Sequence, residues 1–131
     1  MKPEIIQTQK FQKAIEDFNV IATLEKEIKE EGNCKQYALF HLDKKSEALQ
    51  WMKDILDKYP SEGNYYEAAC LYALMNKKDE AISALKTSFE KGNTNFNHIS
   101  IDDDLENIKI TPEYISLYTK WFDKFKSENN L

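Results

Sequence analysis

Along this chain apolar residues recur at steps of three and four, the spacing of one helix face, and strand-like alternation is absent. Phe11, Ile15, Phe18, Ile21, Leu24 and Ile28 set a first helix over residues 9–31, which Gly32 stops. Asn33, with Gln36 three residues on, caps a short helix over 34–42. The next helix, 45–58, ends before Pro60, and Asn64 with Glu67 starts another that runs to Met75. A helix from about Asp79 stops at Gly92, and residues 93–100 read as an irregular polar loop. Asp103 with Glu106 forms a capping box for a turn ending near Lys109. Thr111 caps a last helix with Pro112 in its first turn, where the missing N–H costs nothing. That helix gathers Tyr114, Ile115, Tyr118, Trp121, Phe122 and Phe125 on one broad face. The fold class expected is all-α.

A second pattern lies over the first. Ala14-Ile15-x-x-Phe18, Ala48-Leu49-x-x-Met52 and Ala81-Ile82-x-x-Leu85 repeat one motif, and the block from Lys44 to Leu49 matches the block from Lys77 to Ile82. A period of this length filled with helix formers implies one helix pair repeated and stacked, because a single pair cannot bury its apolar face alone. Tyr65, Ala69 and Tyr72 precede Ala81 at the offsets where tetratricopeptide repeats place an aromatic, a small residue and a second aromatic, and Pro60 closes the second copy. The chain therefore resembles a tetratricopeptide repeat protein from about residue 9 to residue 93. The tail, with Gly92, Phe96, the run Ile101-Asp102-Asp103-Asp104-Leu105 and Thr111-Pro112-Glu113-Tyr114, resembles the capping extension of bacterial members. Gln36 stands where a small residue is expected, Ser88 and Asn93 replace an alanine and a proline, and the first copy lacks its leading helix. The resemblance implies an α-solenoid of stacked antiparallel helix pairs, two to three repeats with a C-terminal capping helix, in a single domain over 1–131.

Composition narrows the function. Hydrophobic content of 41% with 31% charged residues suits a helical domain, and three glycines and three prolines leave little room for β-turns. All 18 basic residues are lysine, and the net charge is -5. Without the planar guanidinium fork, nucleic acid is not an expected partner. No apolar run is long enough to span a bilayer, and Met1-Lys2-Pro3-Glu4 opens no signal peptide, so no membrane insertion and a cytoplasmic location are expected.

Catalytic constellations are weak. Cys34 and Cys70 have no second cysteine at redox or zinc spacing, and His41 has no identifiable acid or nucleophile beside it. His98 with Asp102, Asp103 and Asp104 imitates a metal site, yet three consecutive acids cannot all face one ion and helix capping explains their charge. Asp103 is the expected cap. No enzyme activity, cofactor or metal is expected.

A protein or peptide interaction module is the leading expectation, since stacked helix pairs curl into a concave surface lined by the first helix of each pair. Tyr37 and His41 share one helix face, as do Tyr66, Cys70 and Ala73, so these five residues are the expected partner-binding positions. Positions that hold a chaperone's carboxylate tail in some family members correspond here to Asn33, Tyr37, Tyr66 and Cys70, and only Asn33 is compatible with that role. The alternative is an assembly domain, a homodimer or a scaffold within a larger protein, acting through Tyr118, Trp121, Phe122 and Phe125 on the last helix.

Overall fold

The computed structural model describes residues 35–131. The helix expected over 9–31, its stop at Gly32, the Asn33 cap and the first copy of the alanine motif lie outside the described residues. Seven α-helices follow: α1 (Lys35–His41), α2 (Lys45–Lys58), α3 (Glu62–Leu74), α4 (Lys78–Glu90), α5 (Phe96–Ile101), α6 (Glu106–Lys109) and α7 (Pro112–Glu128). A 3-10 turn, Asp103–Leu105, joins α5 to α6, and no strand occurs among the described residues. The described chain is all-helical. None of these helices is long and apolar enough to cross a membrane. The chain divides into two compact units, 1–55 and 56–131, with the division inside α2.

In the first unit, α2 buries Ala48, Trp51, Met52 and Ile55, positions i, i+3, i+4 and i+7 of one stripe. Lys35, at the start of α1, lays its ammonium 4.3 Å from the centre of the Trp51 ring, so α2 folds back along α1. Burial pulls the Lys35 pKa down, and Glu47 opposes that shift.

In the second unit α3 is the central element. Tyr66, Ala68, Ala69, Cys70, Leu71 and Ala73 are all buried, an apolar surface almost all round, as expected of a helix packed on several sides. It packs against α4, the 3-10 turn and α6. The small side chains of α3 and of Ala81 on α4, all fully buried, let the two backbones approach while Leu85 and Phe89 fill the flanks. Helix α7 crosses α4 and α6. Thr111 accepts the amide of Tyr114 at 3.2 Å and Pro112 occupies the first turn, which is the start expected from sequence.

One turn ends four of the described helices. After α1, Asp43 adopts a left-handed φ of 61°, Lys44 N–H returns to the Leu39 carbonyl and Asp43 N–H to that of Phe40. After α3, Asn76 adopts φ 60°, Lys77 N–H returns to the Tyr72 carbonyl and Asn76 N–H to that of Ala73. These are the paired bonds of a Schellman stop, and the same pair ends α4, where Asn93 N–H returns to Ser88 and Gly92 N–H to Phe89, and α7, where Leu131 N–H returns to Lys126 and Asn130 N–H to Ser127.

Three local expectations are corrected. Ser61, not Asn64, caps α3, its hydroxyl accepting the Asn64 amide at 3.2 Å, while the Asn64 side chain donates to the Tyr59 carbonyl at 2.7 Å. Asp102, not Asp103, caps the 3-10 turn, accepting the Asp104 amide at 3.0 Å. Within the expected polar loop over 93–100, Phe96 and Ile99 are buried one turn apart and hold α5 in helix. Packing of an apolar pair, not intrinsic propensity, stabilises so short a helix.

Candidate functional site

The Ser61 cap fixes where α3 begins, and so places Tyr66 and Cys70 on one face at a spacing of four. The opposing wall is a loop held by its own polar bonds. Gly92 ends α4 at φ +106°, a conformation that side chains rarely adopt, and the chain then turns sharply. Buried Ser88 donates to the Glu62 carbonyl at 2.7 Å and accepts the Asn93 side-chain amide at 2.9 Å. Asn93 in turn accepts the Asn95 backbone N–H at 2.9 Å, which leads into α5. Helix α5 then carries His98, with Asp102 one turn further on.

The two walls meet at the Asp102 carboxylate. The Tyr66 hydroxyl donates to its Oδ2, the Cys70 thiol reaches the same oxygen at 3.8 Å, and His98 Nε2 lies 3.3 Å from it. The Asp104 amide takes Oδ1. The Tyr66 and His98 rings meet edge to face, with centroids 5.8 Å apart. Asp102 is largely enclosed, at 14% side-chain exposure, whereas His98 faces solvent at 54%. Burial pushes the Tyr66 hydroxyl and the Cys70 thiol well above their ordinary pKa values, and the neighbouring negative charge of Asp102 adds to both shifts. Both groups therefore remain protonated donors at neutral pH. A thiol held in that state is a poor nucleophile.

The donor atoms of Cys70, Asp102 and Asp104 lie within 4.8 Å of one another. Both oxygens of Asp102 already accept hydrogen bonds from within the fold. The arrangement is that of a closed hydrogen-bonded junction.

Above this junction a recess of about 510 Å³ opens between the first turns of α3 and the loop into α5. Glu62, Gly63, Tyr66 and Glu67 line one side, and residues of the 92–95 turn with His98 line the other. Its size falls within the range of small-ligand pockets, but its walls are polar and it is open to solvent.

Of the five expected partner-binding residues, Tyr66 and Cys70 are brought together here. Ala73, fully buried, contributes its carbonyl, which accepts the Asn107 side chain at 3.0 Å. Tyr37 and His41 belong to α1 in the other unit. Tyr37 is half-buried, and His41 is exposed and meets Phe40 edge to face. The expected assembly residues surround two phenylalanines. Trp121 stacks on Phe89 at 6.1 Å, while Phe122 and Phe125 lie 5.2 and 5.3 Å from the Phe96 ring. Tyr118 donates to the Phe96 carbonyl at 3.1 Å. All four are half-buried.

His98 and Asp102 are the members of the site that sequence reasoning does not join to Tyr66: Asp102 is read only as part of a helix start, a role it does fill at the 3-10 turn. Their spacing of four on a helix was the available signal, hidden by reading residues 93–100 as loop.

No family model matches the chain, and no solved structure matches it. Among curated proteins it is similar to a chloroplastic protein of Arabidopsis thaliana, with 27% identity over 90 residues. The match covers 66% of this chain and 27% of that relative, so the chain spans about a quarter of the relative's length.

Proposed function

We propose that this chain is a tetratricopeptide-type repeat module, a short α-solenoid closed by α7, that binds a peptide segment of a partner protein on the α3 face bearing Tyr66. The carrying observation is the recess beside that tyrosine, framed by the Ser88 and Asp102 bonds and open to solvent. The equivalent alanines of the two matched blocks, Ala48 and Ala81, both without exposed surface, support the repeat reading. A neutral tyrosine ring beside two carboxylates suits recognition, and the protonated Cys70 thiol beneath it is no activated nucleophile.

The test is capture with the full chain, read by mass spectrometry and then by titration of the recovered partner. Tyr66→Ala weakens capture by about fivefold or more, as expected for a truncated aromatic anchor, while far-UV circular dichroism stays unchanged. Retention of every partner by a folded Tyr66→Ala variant rejects the site.

A second reading, assembly through α7, is favoured by one observation: Ile115 on that helix is 54% exposed beside the half-buried aromatic face. It requires a self-associated chain in solution.

A further inference from the structure

A second concavity lies on another face of α3 and shares no residue with the recess. Tyr65 and Tyr72, two turns apart on α3, line one side, and Ser83 and Thr87, one turn apart on α4, line the other. The buried Ala84 lies between Ser83 and Thr87 in sequence and lines the channel with them. The Thr87 hydroxyl donates to the Ser83 carbonyl at 3.1 Å, so it is used within α4. The channel holds about 420 Å³, within the range of pockets that take bulky apolar groups.

Its two ends differ in charge. Asp79 and Glu80, in the first turn of α4, stand at one end, and neither forms an ion pair among the described residues. Glu80 adds to the effect of burial in holding the Tyr72 hydroxyl above its ordinary pKa, which places the acidic end beside Tyr72. At the other end Lys91 lies 5.7 Å from the centre of the Tyr65 ring. The positive end of the α4 dipole accounts for acids in its first turn, but not for an apolar channel leading to them.

The internal repeat shows what the channel lacks. The register that lays Lys77–Ile82 over Lys44–Leu49 lays Ala84 over Trp51. In the first helix pair that place carries a buried indole with the Lys35 ammonium 4.3 Å from its ring centre. In the second pair it carries a methyl group, and Ala68 stands where Lys35 does.

We propose that this channel docks a helical segment of a partner protein, which presents one aromatic side chain to Ala84 and a lysine or arginine to Asp79 and Glu80. Glu80 and Ala84 are one turn apart, about 6 Å along α4, which matches residues i and i+4 of a helix lying alongside. The small side chains of Ser83 and Ala84 let that helix approach closely. The partner would thus supply from outside the aromatic and cation that the first pair supplies from its own sequence. This surface does not depend on the Tyr66 reading.

The experiment uses the full chain and two fluorescein-labelled helical peptides of alanine and glutamine. Each carries one tryptophan, with a lysine four residues before it in one peptide and four residues after it in the other, so both orientations are presented. In fluorescence polarisation the better probe should lose about tenfold or more in affinity when its tryptophan becomes alanine. It should lose about threefold when its lysine becomes glutamine, an effect that shrinks with added salt. Asp79→Asn/Glu80→Gln, both exposed positions, should erase that lysine preference and keep the tryptophan preference. Ser83→Trp, also at an exposed position, should fill the channel and abolish binding with an unchanged far-UV spectrum. If that variant is unfolded, Ser83→Arg must still block the probe. Probe binding that neither Ser83 variant weakens overturns the channel, as does equal affinity for the tryptophan and alanine probes. Equal affinity for the lysine and glutamine probes overturns the charge pairing. A dimer in light scattering that a Ser83 variant dissolves assigns the face to a second copy and overturns the proposal. Each of these failures leaves the recess beside Tyr66 untouched, since the two sites share no residue.

Discussion

A single half-buried carboxylate holds the site together. Asp102 satisfies the Tyr66 hydroxyl, the Cys70 thiol and the Asp104 amide at once, so its removal leaves two buried donors unpaired. Asp102→Ala should lower unfolding free energy by about 1–3 kcal/mol, measured by urea denaturation. The double variant Tyr66→Phe/Asp102→Ala should cost less than the sum of the single changes, since one orphaned hydroxyl is gone. Additive costs would show that the bond carries little. The same junction sets a response to alkali. Burial raises Cys70 and Tyr66 above their ordinary values of 9.0 and 10.0, and Tyr114 is pushed up to about 12 by burial with its neighbours Tyr118 and Asp102. The folded state thus keeps protons that the unfolded chain releases, and this stabilisation is complete below the unfolded pKa and lost as pH rises above it. Urea midpoints should be level up to about pH 9, the unfolded thiol's value, and then fall. Cys70→Ser should delay that fall to near pH 10, where the tyrosines begin to titrate.

Among elements, the matched helix pairs show why small residues recur. Ala48 and Ala81 have no exposed surface, and Ala81 lies within the buried stripe of α4 that meets α3. Ala81→Leu should overpack that crossing and cost about 1 to 3 kcal/mol, read as a lower thermal midpoint. An unchanged midpoint would mean the α3–α4 crossing yields easily. The long periodic helices were legible in the sequence. The expected span 45–58 is the observed α2, and the Thr111 cap with Pro112 starts α7 as read. What escaped were elements fixed from outside themselves. The α5 helix exists because Phe96 meets Phe89, Phe122 and Phe125, contacts no local window contains. Ser88 looked like a departure from a small apolar position, yet its hydroxyl ties α4 to the first turn of α3 and braces the Asn93 loop. Helix spacing alone puts Tyr66 and Cys70 on one face. Their joint partner Asp102 was invisible to that reasoning, because it comes from a separate element.

At the scale of the whole molecule, the packing of α7 distinguishes a cover from a contact. Its aromatic residues already pack on Phe89 and Phe96, which spends most of their apolar surface inside one chain. Light scattering is therefore expected to give the mass of one chain, 15.4 kDa, unchanged by Ile115→Glu at an exposed site. A dimer that this change dissolves would favour assembly over peptide capture. Last, the bond from Tyr66 to Asp102 joins residues 36 apart in sequence, and around it α5, the 3-10 turn and α6 are only 6, 3 and 4 residues long. Segments that short have no stability of their own. In native-state hydrogen exchange their amides should therefore lose protection together, in one sub-global opening below the free energy that exposes α3 and α4. The wall that frames the recess is thus the part of the unit that breathes first, and an occupant bridging it to α3 would slow that exchange.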